Sequence, residues 1–213
     1  MTPKKTAYEN LAESLIEKFN MRQIESYYAE TKEEALEMAK GYLTPGCAVS
    51  WGGSETLKEI GLISYLKETS EDYILYDRSQ AGSEEERRQM YGKIVTSDVF
   101  FLSSNAITLD GELVNIDGAG NRVACLAYGP ENVVVIAGMN KIVKDVKEAV
   151  NRVRNFAAPP NTVRLNLKTP CSQVGYCKDC LSKDCICCHI VVTRYSRIPN
   201  RIKVILTGEE LGY

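Results

Sequence analysis

The feature that most constrains this chain is its regular alternation of short apolar runs with amphipathic stretches of helical period. Within Thr6 to Phe19, the residues Leu11, Leu15, Ile16 and Phe19 recur at helical spacing, with Glu and Lys opposite them, which predicts an amphipathic helix. A strand is expected around Ile24 to Ala29. Thr31 with Glu34 then forms a capping-box pattern that opens a helix through Ala35, Leu36 and Met38, closed by Gly41 and the Thr44, Pro45, Gly46 turn. Cys47 to Trp51 reads as a strand that passes through Gly52 and Gly53 into a helix carrying Leu57 and Ile60. Strands at Tyr73 to Tyr76, Val99 to Leu102 and Val133 to Ala137 continue the rhythm. Helices are expected from Ser83 and Glu86, from Gly118 to Ala127 and from Lys144 to Phe156. Pro159 and Pro160 should end the last of these and open an irregular stretch, after which Ile190 to Thr193 and Ile202 to Leu206 read as closing strands. Alternation of this kind argues for an α/β fold with a mostly parallel sheet covered by helices. One segment breaks the rhythm: between Ile107 and Ile116, Asp110 and Gly111 separate two β-prone stretches as a tight hairpin does.

A length of 213 residues suits a single domain spanning 1–213. Hydrophobic and charged shares of 44% and 25% match ordinary globular proteins and argue against a disordered or fibrous chain. The net charge of −2, with acidic and basic residues interleaved, offers no basic face for nucleic acid and no acidic tail, so a small-molecule or protein partner is expected. Met1 to Asn10 is polar, and no run approaches the roughly 18 apolar residues of a membrane span, so a cytoplasmic protein with no membrane association is expected.

Of the eight cysteines, six fall between Cys171 and Cys188. In a reducing compartment such crowding reads as metal binding or redox chemistry. Cys171, Cys177, Cys180 and Cys187 share one loop segment with Gly175, and thiolates are soft ligands for zinc or for iron and sulfur. The CxxC pair Cys177 and Cys180 can grip an ion within one tight turn. The spacing is neither that of a zinc ribbon nor that of the bacterial ferredoxin run. Cys185, Cys188 and His189 are further candidate ligands. Buried or reversibly oxidised thiols, or a catalytic thiol, are the alternatives. Cys47 and Cys125 sit in apolar contexts and read as packing residues. His189 is the only histidine, and its place at a strand start favours a structural or ligand role over base catalysis. Acid–base work therefore falls to carboxylates or a lysine.

Two loops stand out. Gly52, Gly53 and Ser54, between a strand and a helix, would leave backbone N–H groups free for a phosphate or carboxylate; a tight turn capped by Ser explains the same residues without a ligand. Ser103, Ser104, Asn105 and Ala106, then Asp110 and Gly111, then Asn115, Asp117, Gly118, Gly120, Asn121 and Arg122, concentrate small and polar groups after a buried strand. They predict a cleft at the strand's C-terminal end, with a hairpin and Asx-capped loop as the plainer reading.

The stretch SSNAITLDGELVNIDGAGNRVA, followed by AGMNKIVKD, resembles the signature of LUD-domain proteins, and GGSETL with the PC, GYC, KDC and IC series resembles that family's other landmarks. The resemblance covers nearly the whole chain. It implies a fold of the ribose-5-phosphate isomerase, glucosamine-phosphate deaminase and CoA-transferase superfamily (NagB/RpiA/CoA-transferase-like), with a Rossmann-like sheet and a Cys-rich segment at 171–188. Some members belong to systems that oxidise L-lactate through iron–sulfur proteins, and this chain resembles the smallest, single-domain subunit. The resemblance implies an accessory role in lactate utilisation, a small anionic ligand, zinc or an iron–sulfur cluster at Cys171, Cys177, Cys180 and Cys187, and other lactate-oxidation subunits as partners. Carried over by position, the ligand site comprises Gly52, Gly53, Ser54 and Thr56; Ser104, Asn105, Asp110 and Gly111; Asn115, Asp117, Gly118, Asn121 and Arg122; and Asn140 with Lys141. Cys185 and Cys188 depart from the family's cysteine pattern and leave open which four thiols would hold an ion. Two other readings remain open: an enzyme acting on a phosphorylated sugar or acyl-CoA, with Asp110 or Asp117 as its carboxylate and Arg122 or Lys141 holding the anion, and a thiol-based metal or redox sensor. The apolar face of the first helix serves either core packing or a homodimer.

Overall fold

A computed structural model describes residues 2–213, and Met1 lies outside the described residues. Helix α1 (Pro3–Met21) starts where the Thr2 hydroxyl accepts from Lys5 N–H and a proline occupies the first turn. Its Ala12, Leu15 and Phe19 are fully buried, so the apolar face expected to serve either the core or a homodimer packs into the core. Strand β1 (Glu25–Ala29) leads to α2 (Lys32–Lys40), and β2 (Ala48–Trp51) leads to α3 (Glu55–Glu59) and α4 (Leu62–Glu68). Then come β3 (Ile74–Leu75), a short 3-10 turn at Arg78–Gln80, α5 (Glu84–Val95) and β4 (Val99–Leu102). The helix expected from Ser83 and Glu86 opens with a capping box formed in both directions.

The order continues with β5 (Ala106–Thr108), β6 (Leu113–Asp117), α6 (Asn121–Ala127), β7 (Asn132–Gly138), a 3-10 turn at Met139–Lys141 and β8 (Ile142–Val143). It closes with α7 (Val146–Arg152), α8 (Ala158–Arg164), α9 (Pro170–Val174), β9 (His189–Thr193) and β10 (Ile202–Thr207). Six strands form one parallel sheet in the order β1-β10-β7-β4-β2-β3. Its inner strands are near-continuous apolar runs because helices cover both faces. The alternation along β4 shows this directly. Phe100 and Leu102 join α1, α5 and α6 in one core, while Val99 and Phe101 join α2, α3 and α4 in the other. Among the described residues no helix is long and apolar enough to cross a membrane.

The expected hairpin exists as β5 and β6, turning where Gly111 adopts φ +81° and donates to Thr108 O at 2.8 Å. It belongs to a second, four-stranded sheet in the order β8-β5-β6-β9. The two closing strands therefore part company: β10 inserts between β1 and β7, whereas β9 pairs antiparallel with β6.

Pro159 and Pro160 do not open an irregular stretch. The chain runs from α7 through a π-helical turn at Val153–Ala157 straight into α8, where the prolines occupy the first turn. The prolines supply no N–H to the carbonyls one turn earlier, and the widened π turn before them makes room for their rings, so the helix continues past them. This continuation carries Asn161 and Arg164 toward the C-terminal ends of the main sheet's strands.

Phe101 is fully buried at the centre of the sheet. Its replacement by alanine should lower the unfolding free energy by about 3–5 kcal/mol in urea titrations, with little change in m-value.

Candidate functional site

The sheet order places a topological switch between β2 and β4. From β2 the chain crosses one face through α3 and α4 to reach β3 on one side, then crosses the other face through α5 to reach β4 on the other side. The loops after β2 and β4 diverge, and open α/β sheets bind ligands in the crevice between such loops. Here that crevice is a cleft of about 210 Å³. Gly53, Ser54 and Thr56 enter from β2, Ser103, Ser104 and Asn105 from β4, and Asp117, Gly118, Asn121 and Arg122 from the β6–α6 connection. Lys141 comes from the turn after β7, Asn161 and Arg164 from α8, and Arg78 from the 3-10 turn.

Arg122 ties these loops together. Its guanidinium donates to Ser103 O (3.0 Å), Ile116 O (3.0 Å) and Asn105 Oδ1 (2.8 Å), and to Asn115 Oδ1, while its Nε stands 3.5 Å from Asp117. Burial works against its charge and Asp117 supports it. Asn115 is fully buried and reaches the cleft through this guanidinium, the Ser104 hydroxyl and the Asn105 N–H, from which its Oδ1 accepts at 3.2 Å.

Lys141 is 4% exposed, and its ammonium donates to Thr56 Oγ1 (2.8 Å) and Ser103 Oγ (2.9 Å). Burial, reinforced by the positive charges of Arg152 and Arg122, pushes its pKa down to about 7. Asn140 does not face the cleft. Its amide brackets Leu211, accepting from the N–H (3.2 Å) and donating to the carbonyl (3.4 Å), which folds the chain after β10 over Thr56 and Lys141. Gly212, at φ +59°, completes that cover, since a Cβ there would lie 2.6 Å from Thr56 Oγ1.

Of the N–H donors expected to be free in the Gly52, Gly53, Ser54 loop, one is taken. Gly52 N–H is occupied by Phe101 O at 2.8 Å, and neither glycine has positive φ. Their missing side chains make room: a Cβ on Gly52 would press on the Arg122 stem at 3.0 Å, and one on Gly53 would meet the Arg78 guanidinium at 2.5 Å. Ser54 caps α3 by accepting from Leu57 N–H at 3.3 Å, as expected. Asp110 and Gly111 lie elsewhere, at the hairpin tip against α1, where Arg22 donates to Asp110 O at 2.6 Å. This removes Asp110 from any chemistry in the cleft.

A second, small cavity of about 20 Å³ lies beside the first and is lined by Cys171, Cys177, Cys180, Cys185 and Cys187. The sulfurs of Cys171, Cys177, Cys180 and Cys185 are hydrogen-bonded, that of Cys180 to the Ser182 hydroxyl at 3.5 Å. Thr169 and Thr162 hydroxyls stand 3.2 and 3.6 Å from Cys171 Sγ, Asp179 N–H donates to Cys177 (3.3 Å) and Cys187 N–H to Cys185 (3.4 Å). Cys188 and His189 are exposed and outside it, with Cys188 N–H bonded to Asp117 O at 3.1 Å. Among the described residues no three His, Cys, Asp or Glu side chains are drawn together closely enough to hold a metal as they stand. The sulfur donor set suits zinc or iron, and the volume admits one ion-sized body. Cys47 and Cys125 are core residues, as expected.

The LUD domain family model matches residues 12–207. The chain belongs to the LUD domain family. The fold of this LUD domain is similar to that of a DUF162 family protein from Deinococcus radiodurans, with a TM-score of 0.51 at 12% identity over 95% of this chain and 98% of that one. A ribose 5-phosphate isomerase from Plasmodium falciparum aligns with 53% of this chain and 52% of its own, at 14% identity and a TM-score of 0.33. eIF2B delta from Chaetomium thermophilum aligns with 99% of this chain and 66% of its own, at 15% identity and a TM-score of 0.42. No curated protein matches the chain.

Several cleft residues of this LUD domain carry no local sequence signal. Arg78 and Arg164 arrive from a 3-10 turn and a helix remote in sequence, and Ile186, between two thiols, lines both cavities. In the sequence Ser103 stands out only as part of the polar run after β4.

A lysine whose folded pKa is lowered is harder to protonate in the folded state than in the unfolded one. It therefore costs stability in full below about pH 7, and the cost fades as pH rises toward the unfolded value near 10.5. Lys141→Met should accordingly stabilise the domain near neutral pH, on the order of 3 kcal/mol, and this gain should shrink between pH 7 and 10 when wild type and variant are unfolded in parallel.

Proposed function

We propose that this LUD domain is an accessory protein of lactate utilisation that binds a small anionic ligand in the switch-point cleft and a thiolate-held metal beside it. The observation that carries the anion reading is a charge imbalance in the cleft. Arg122 is paired with Asp117 and Arg164 with Glu55, but Lys141 and Arg78 face the cleft with hydroxyl and amide partners in place of carboxylates. The Asn121 amide, with its oxygen turned toward them, accepts from Arg78 (3.0 Å) and from Tyr91 and Arg122 N–H (3.3 Å each). A carboxylate or phosphate entering here supplies the counter-charge that a buried cation lacks. The volume of about 210 Å³ falls below the roughly 300–1,000 Å³ of drug-sized pockets and favours a small acid.

Family membership supports the lactate context, and the shared cavity of five thiols supports the metal. The metal would be held by four of Cys171, Cys177, Cys180, Cys185 and Cys187, and it would supply either structural cross-linking as zinc or electron transfer as an iron–sulfur centre.

Titration calorimetry with L-lactate, pyruvate and inorganic phosphate tests the first part. At least one should bind, and Lys141→Met should weaken that binding tenfold or more, a difference of about 1.4 kcal/mol. Affinity should be full below about pH 7 and decline as pH rises through it, because the free amine loses its charge there, with proton uptake on binding above pH 7. Absence of binding by all three would overturn the anion reading, and unimpaired growth on lactate after deletion would overturn the lactate role.

Elemental analysis and absorption spectra of protein purified without oxygen test the second part. One metal equivalent per chain is expected, colourless if zinc and brown with sulfide if iron, and Cys177→Ser or Cys180→Ser should lower it. Metal-free wild-type protein would refute the reading. Release of the ion by mild peroxide would add a sensing role.

A further inference from the structure

We propose that Lys141 captures the carbonyl carbon of a 2-oxo acid as an imine at the floor of the cleft. The inference rests on the anion-binding reading and deepens it, because it names the ligand class as carbonyl-bearing acids such as pyruvate.

Three features of the site point to a nucleophile. The amine of Lys141 is buried and lines the cleft, with two hydroxyls and no carboxylate as hydrogen-bond partners. A lysine serving structure alone would normally be paired or would reach solvent. Burial and the flanking guanidiniums of Arg152 and Arg122 favour its neutral form, which carries the lone pair that attack on a carbonyl requires. The Thr56 and Ser103 hydroxyls, at 2.8 and 2.9 Å, stand where a proton can pass between the amine and a carbonyl oxygen.

The cleft also divides the tasks. Arg122 directs its guanidinium donors at Ser103, Asn105, Asn115 and Ile116, so it contributes charge and not a free fork. Arg78, laid across Gly53 with Asn121 as its amide partner, presents a guanidinium that can hold the acid's carboxylate.

The step balances without an oxidant or reductant. The amine lone pair forms a C–N bond as the carbonyl π pair moves to oxygen, and one amine proton passes to that oxygen to give a carbinolamine. The second amine proton and the hydroxyl then leave as water, and the C=N bond forms.

The test is to incubate the full chain with pyruvate, reduce with sodium borohydride, and map the product by mass spectrometry. A single saturable adduct on the peptide carrying Lys141 is expected, absent from Lys141→Arg, which keeps the charge. Wild-type peptide mapping decides the question even if that variant does not fold. No adduct, or an adduct scattered over surface lysines, overturns the proposal. If calorimetry still detects pyruvate in that case, the anion reading stands and only the covalent step falls; if it detects none of the three acids, the anion reading falls as well.

Discussion

The arrangement of the cleft depends on one buried guanidinium. Arg122 joins the loop after β4, strand β6 and the start of α6 through four hydrogen bonds and the Asp117 carboxylate, and its aliphatic stem lies against Gly52 after β2. A planar fork of fixed donors can do this where a lysine cannot, because it satisfies two carbonyls and two amide oxygens in one plane. Removing either partner of such a pair would leave an uncompensated charge in a largely desolvated site. The Asn, Asp and Gly residues around it are thus accounted for mainly by holding Arg122, and they shape the cleft through it.

With Arg122 so occupied, Lys141 is the buried cation of the cleft that no carboxylate pairs. It is held over Thr56 and Ser103 by a cover made from the chain after β10, which Asn140 and Gly212 fix in place. Burial beside two arginines is unfavourable for an ammonium, and a protein that retains such a group carries a stability cost at neutral pH. On the proposed reading, an anion entering the cleft would relieve that cost.

The thiol cavity lies directly against this cleft. Ile186, between Cys185 and Cys187, contributes to both cavities, and Gly118 lets its backbone approach closely, since a Cβ there would sit 3.4 Å from Ile186 Cα. The turn at Asp179, with φ +48°, brings its N–H back onto Cys177 Sγ, a local consequence of the CxxC spacing. Which thiols share the cavity is a longer-range matter. Cys185 enters it and Cys188, three residues on, does not, because β9 begins there and turns the chain toward β6.

The sequence by itself determined the α/β class, the helix caps at Thr31, Ser54 and Ser83, the Asp110–Gly111 hairpin and the polar loops after β2 and β4, because periodicity, capping and turn chemistry act over a few residues. It also marked Lys141 and Arg122 through the family resemblance, though without their partners. Only the tertiary structure decided that β10 enters the middle of the main sheet while β9 joins a second one, that α8 continues past Pro159 and Pro160, and that Arg78 and Arg164 reach the cleft whereas Asp110 does not. These outcomes turn on which distant surfaces bury one another. The apolar runs of β9 and β10 look alike in isolation, and the same proline pair can end a helix or begin one, so local pattern leaves the choice to packing.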